Sequence, residues 1–177
     1  KKNKTQLLKQ IEKEKFNRIT VSFYKYISLN NIQKMRNILY KKWRSLGVLG
    51  RVYLAKEGIN AQISIPEYNF KKFKLYIDSY MPFKKLNYKK AFQAGTSFLK
   101  LTIKIKDEIV AYKIPSNQYN MKKVGKYLNY SEFNQAIDQG ANVIDMRNYY
   151  EGEIGKFENA IIPNVDRSQD LLPEIRK

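Results

Sequence analysis

The 177-residue chain contains no cysteine and no histidine. Without cysteine there are no disulfides and no thiolate metal sites. Without histidine the usual general base and the commonest metal ligand are missing. Ser-His-Asp, Cys-His and zinc constellations are therefore impossible within these residues; carboxylate-only metal sites stay open, but no spacing suggests one. No apolar run approaches the ~20 residues of a membrane span, and no charged-then-apolar leader precedes a cleavage site. The expectation is a cytoplasmic protein that makes no membrane contact.

What is present is a core-forming composition, 43% hydrophobic and 14% aromatic, joined to a formal net charge of +18. The charge is unevenly placed. Residues 1–127 carry 29 Lys and Arg against 7 Asp and Glu, whereas residues 128–177 carry 5 against 9. A basic module followed by a mildly acidic one points to a polyanionic partner for the first part. The other reading is compositional drift, since Lys, Asn, Ile and Tyr are all abundant.

Residues 1–15 form a basic lead-in with Leu7, Leu8 and Ile11 at helical spacing. Residues 18–27 alternate through Ile19, Val21 and Phe23, which predicts a strand. Asn30 or Asn31 is expected to cap a helix in which Met35, Ile38, Leu39, Trp43 and Leu46 share a stripe and Gly47 ends the run. Trp43 on that stripe is a core residue rather than a stacking platform. Val48–Ala55 and Ile59–Ile65 read as two strands joined by a tight turn at Lys56-Glu57-Gly58, with Gly58 supplying a positive φ. Pro66 opens a helix buried through Phe70, Phe73, Ile77 and Tyr80, and Pro82 closes it. Residues 98–106 alternate strictly, with Leu99, Leu101, Ile103 and Ile105 on one face and Lys100, Lys104 and Lys106 on the other.

Strand, helix, strand, strand, helix, strand is a split βαβ unit, an α+β ferredoxin-like or acylphosphatase-like domain over residues 16–110. Helices on one face leave the other free for a ligand. The lysine stripe is either a solvated strand face or an RNA contact, and Arg51 and Asn60, beside the turn, either touch RNA or satisfy turn backbone groups. Lys56 belongs with the candidate RNA-contacting residues.

Residues 111–126 read as a connector, rich in turn formers. Over 127–177, Ser131 is expected to cap a short helix with Phe133, Ala136 and Ile137 inward, ended by Gly140. Ala141–Asp145 is then expected to be a buried parallel strand. Asp145 and Arg147 at its end can form a charge-assisted pair, while Gly152 and Gly155 supply loop conformations. Phe157, Ala160 and Ile161 return to the core. The last stretch has Leu171, Leu172 and Ile175 at helical spacing, cut by Pro173.

Asp145, Arg147, Glu151, Gly155, Phe157 and Ala160, in this order and spacing, resemble the first half of a rhodanese domain. Together with Arg51 and Lys56-Glu57-Gly58-Ile59-Asn60-Ala61, and with Lys106–Val110, Gly125–Leu128 and Asp145–Asn148, the pattern over roughly residues 16–177 resembles the tRNA uridine hydroxylases. These are rhodanese-like proteins with an acylphosphatase-like N-terminal domain. The resemblance implies oxygen-dependent 5-hydroxylation of the wobble uridine, with molecular oxygen as co-substrate and the tRNA anticodon stem-loop as partner. No cofactor is identifiable in the residues themselves, and the oligomeric state is left open. The family's nucleophilic cysteine is expected beyond Lys177, so residues 127–177 are an incomplete rhodanese-like part, with Asp145, Arg147 and Glu151 as a supporting loop. For Asp145 and Arg147 the plainer alternative is a salt bridge that only fixes the loop. Two other functions remain in competition, a rhodanese-type sulfurtransferase and a non-catalytic RNA-binding fragment.

Overall fold

The computed structural model describes residues 3–91, 98–115, 118–120 and 123–177. The chain divides into two compact units, Lys1–Ile109 and Val110–Lys177.

In the first unit, α1 (Lys4–Glu12) opens with an Asn3 capping box. β1 (Arg18–Tyr26) leads to α2 (Ile32–Ser45), followed by β2 (Leu49–Ala55), β3 (Gly58–Pro66) and α3 (Glu67–Ser79). A 3-10 turn at Met81–Phe83, β4 (Lys89–Lys90) and β5 (Leu101–Ile105) complete it. The sheet order is β4-β1-β3-β2-β5. All pairings are antiparallel except β2 with β5.

This is the ferredoxin-like arrangement with one correction. Residues 98–106 do not supply the strand beside β1. The two-residue β4 takes that edge, and β5 lies at the far edge, parallel to β2. Alternation in a strand tells which residues share a face but not which strand is the neighbour, so the period left the placement open. Regular pairing also begins at Leu101 rather than at Phe98 or Leu99.

Both helices pack on one sheet face. Met35, Leu39 and Trp43 of α2 and Phe73 and Ile77 of α3 join Val21, Phe23, Val52, Leu54, Ile59, Ile63 and Ile103 in one core. Trp43 is fully buried, edge-on to Phe73 at 5.2 Å and to Phe23 at 6.4 Å. Ile38, expected in the stripe, is exposed. At 3.6 residues per turn it lies roughly 95° round α2 from the centre of the Met35–Leu39–Trp43–Leu46 stripe. Asn31 stands at the cap position of α2, but with φ +51° its side chain makes no capping bond. Gly47 closes the helix at φ +73°, in the left-handed region a C-terminal cap uses.

In the second unit, α4 (Tyr130–Asp138), α5 (Tyr149–Ile154) and α6 (Ser168–Ile175) are its named elements. Asn129, not Ser131, caps α4, through a reciprocal box with Glu132. The expected strand at Ala141–Asp145 reduces to a single parallel bridge, Ile144 to Ile161, and Ile144 is 38% exposed. A buried parallel strand needs a partner on each side, and among the described residues only Ile161 pairs here. The same shortage of cover leaves Phe157 and Ile161 exposed, while Ala160 is buried. Pro173 does not cut the last helix; α6 runs through it. Pro173 removes one backbone donor from α6, and Leu171, two residues before it, is buried.

Candidate nucleic-acid interface and the Asp145–Arg147 loop

The sheet face opposite the helices is built by the even-numbered residues of β1, β3 and β5 and the odd-numbered residues of β2. Register fixes two rows across it. Lys104, Tyr53, Asn60 and Tyr24 lie in one, and Thr102, Arg51, Gln62, Ser22 and Lys89 in the next. Arg51, Gln62, Lys104 and Lys89 are exposed. Arg51 forms no ion pair among the described residues. Lys106 holds its ammonium 5.9 Å from the centre of the Tyr53 ring, within cation–π range.

One end of this face is closed. After β5 the chain turns back so that the Ile109 amide donates to the Glu57 carboxylate at 2.7 Å and the Ile109 carbonyl accepts from the Asn60 amide at 3.2 Å. Ile109 is 3% exposed and lies outside the main core. Asn60 thus holds a backbone group, that of Ile109 rather than one in the turn. Lys56 sits exposed in the two-residue turn, whose backbone carbonyls at Lys56 and Glu57 accept from Leu29 and Ile27. Lys100, also exposed, precedes β5 and accepts the Gly50 amide through its carbonyl.

The structure therefore brings Arg51, Asn60, Lys104 and Lys106 together on one face and leaves Lys56 at the hairpin tip. Aromatic residues near a basic sheet face are expected from the sequence as candidates for base stacking, but which ones is not; the structure places Tyr24 and Tyr53 there, with Gln62 and Lys89. A signal for Tyr24 was present: alternation that buries Val21 and Phe23 must turn Ser22 and Tyr24 outward.

In the second unit, Arg147 grips Asp145 with both Nε and Nη2, the Nε contacts at 3.0 and 3.1 Å. Nη2 also donates to the Gly155 carbonyl at 2.7 Å, and the Arg147 amide donates to Asp145 at 3.1 Å. One guanidinium thus ties both ends of the 145–155 loop. Hydrogen bonds from the Arg147 side chain, then its amide, hold the Asp145 carboxyl below the usual range, and those side-chain bonds raise the Arg147 pKa. Glu151 stands in the first turn of α5, its carboxylate accepting from Asn148 at 3.3 Å.

The two glycines do not act as loop-formers. Gly152 is inside α5, where a Cβ would fall 2.2 Å from Ile162 Cδ1, and Gly155 has an extended backbone at φ 170° that any residue adopts. Beside the loop lies a pocket of about 590 Å³ lined by Phe133, Val143, Ile144, Met146 and Phe157 among others.

The sign of the carboxyl shift gives a testable pH response. A depressed folded pKa contributes stability above the unfolded value, about 3.9, and loses it as pH falls through the lower folded value. The amide resonances of Arg147 and Gly155 should keep their positions down through the ordinary carboxylate range and move only below it. A midpoint at the ordinary aspartate value would mean the pair does not hold in solution.

A family model described as UPF0176 acylphosphatase like domain matches residues 18–109, from the start of β1 to Ile109. The chain belongs to that family. Similar curated proteins include tRNA uridine(34) hydroxylases. That of Leptospira interrogans serovar Lai is 47% identical over 168 residues, 94% of this chain and 46% of the relative. That of Enterobacter sp. strain 638 is 45% identical, over 89% of this chain and 46% of the relative. The Photorhabdus laumondii protein is 42% identical with the same coverage. The chain thus spans about half the length of the curated relatives it matches, and the matched half includes the acylphosphatase-like unit. Among the described residues no helix is long and apolar enough to cross a membrane.

Proposed function

We propose that this chain is the RNA-holding half of a tRNA uridine(34) hydroxylase acting on the wobble uridine of the anticodon stem-loop. The observation that carries the reading is the open sheet face with Arg51, Lys104, Lys106 and Lys89, in a module whose charge is strongly positive, within a chain 42–47% identical to proteins of that name. Lysine and arginine on this face neutralise phosphates of the stem-loop, and binding weakens as salt rises because counterions are released. The chain itself has neither cysteine nor histidine. Hydroxylation at carbon 5, with molecular oxygen as co-substrate, falls to the part of the relatives that this chain does not span.

The second unit is the opening of a rhodanese-like domain. Its part is to present the Asp145–Arg147 loop as a rigid wall, since Nε and Nη2 of Arg147 are committed to Asp145 and Gly155. Arg147 is a positioning residue.

The test is the salt dependence of tRNA binding. Arg51→Ala combined with Lys104→Ala should weaken binding and reduce the slope of log affinity against log salt by about 1.5, given roughly 0.7–0.9 for each phosphate no longer neutralised. An unchanged slope would remove this face from the RNA interface. Absence of tRNA binding by the parent chain would remove the reading altogether.

A further inference from the structure

We propose that Tyr24 and Tyr53 form a stacking platform for unpaired RNA bases on the open sheet face; this rests on the RNA-binding reading above and adds the class of RNA taken. Tyr24 is 57% exposed and pairs with Asn60 of β3, while β4 reaches only Val21 and Ser22 on the other side of β1. Its ring lies on the sheet face opposite the one that α2 and α3 cover, which leaves it open to a ligand. Tyr53 lies in the same row, two strands away across Asn60, so the two backbones stand about 10 Å apart at the usual strand spacing.

The residue between them does not compete for the space. Asn60 is short and its amide is tied to the Ile109 carbonyl. Both rings are braced: Tyr26 meets Tyr24 at 75° with centroids 6.4 Å apart, and the Lys106 ammonium sits over Tyr53. Rotamers held in place lose less entropy on binding. Lys104 adjoins Tyr53 in the row and Arg51 lies two residues along β2, while Lys89 stands opposite Ser22 in the row next to Tyr24, so cations for backbone phosphates flank the platform.

Charge selects a nucleic acid, and the flat aromatic surface selects its unpaired form. Base faces inside an A-form duplex are covered by their neighbours, whereas loop bases can splay out onto aromatic rings. The segment 106–109 closes the Asn60 end of the face, so a bound RNA strand runs along the rows, between the β4 edge and the β5 edge, and does not continue past Ile109.

The experiment measures fluorescence anisotropy of the chain with a labelled anticodon stem-loop and with a duplex of the same stem lacking the loop. The parent should prefer the stem-loop by about tenfold or more. Tyr24→Ala and Tyr53→Ala should each weaken stem-loop binding about tenfold, inside the range stacking gives, while Tyr24→Phe and Tyr53→Phe stay within about twofold and the salt slope is unchanged. Because Tyr53 is half-buried, its phenylalanine variant and a thermal midpoint for each variant separate lost stacking from lost folding. Alanine variants that bind as the parent does, or a parent that binds the duplex equally well, overturn the platform while leaving phosphate-based binding intact. No RNA binding at all sinks both readings. A dimer that dissociates on Tyr24→Ala with RNA affinity unchanged assigns the face to a second copy of the chain and likewise overturns the proposal.

Discussion

Gly58→Ala is expected to destabilise the first unit by about 3 kcal/mol or more, the sum expected from an unfavourable backbone conformation plus a steric conflict. Gly58 is the first residue of β3, opposite both Ala55 of β2 and Tyr26 of β1. Its φ is +150°, a region that L side chains rarely enter, and a Cβ there would lie 2.1 Å from the Lys25 carbonyl oxygen. Neither conflict can be relieved by rotating a side chain, because the obstacle is the backbone of the adjoining strand. The variant must open the β1–β3 pairing at the end where the Lys56–Glu57 turn also holds Ile27 and Leu29. Urea unfolding followed through Trp43, the only tryptophan, reports on this unit directly. A Gly58→Ala midpoint equal to the parent's would show that the strands can separate slightly without loss.

The second large effect is expected at Trp43. Trp43→Ala removes a fully buried indole that packs against rings from both β1 and α3. Truncations of this size cost about 3–5 kcal/mol through lost transfer energy and the cavity left behind. Trp43→Phe should cost much less, since the indole Nε1 is buried with no hydrogen-bond partner among the described residues, so the smaller ring gives up no hydrogen bond. With tryptophan gone, circular dichroism during urea unfolding supplies the readout. An alanine variant within about 1 kcal/mol of the parent would mean that α2 closes onto the sheet to fill the void.

Much of the first unit was readable because its elements announce themselves by period. The β1 alternation, the Met35–Leu39–Trp43 stripe, the Gly47 stop and the Pro66 start each follow from local sterics acting on neighbouring residues. β5 was legible as a strand for the same reason, yet its place beside β2 was not, because period shows which residues share a face and not which strand lies alongside, and β4 already holds the β1 edge. The second unit was read less well. Its parallel strand was inferred from Val143 and Ile144 alone, and burial of such a run is conferred by neighbours on both sides rather than by its own composition. Gly152 shows the same limit, since the reason for a glycine there is Ile162, ten residues away in sequence and adjacent only after folding.

For the candidate site the division is similar. Residue chemistry and charge distribution, which are properties of the chain as written, determined that the first module is cationic, that thiol and imidazole chemistry are excluded, and that Arg51, Lys104 and Asp145–Arg147 deserved notice. Only the tertiary structure decided that Arg51 and Lys104 share a face with Tyr24 and Tyr53, that Asn60 is occupied by the Ile109 carbonyl, and that one end of the face is closed. Those outcomes depend on strand register and on a segment folding back over the sheet. Both are set by interactions between residues tens of positions apart, whose energies do not appear in any local window of the sequence.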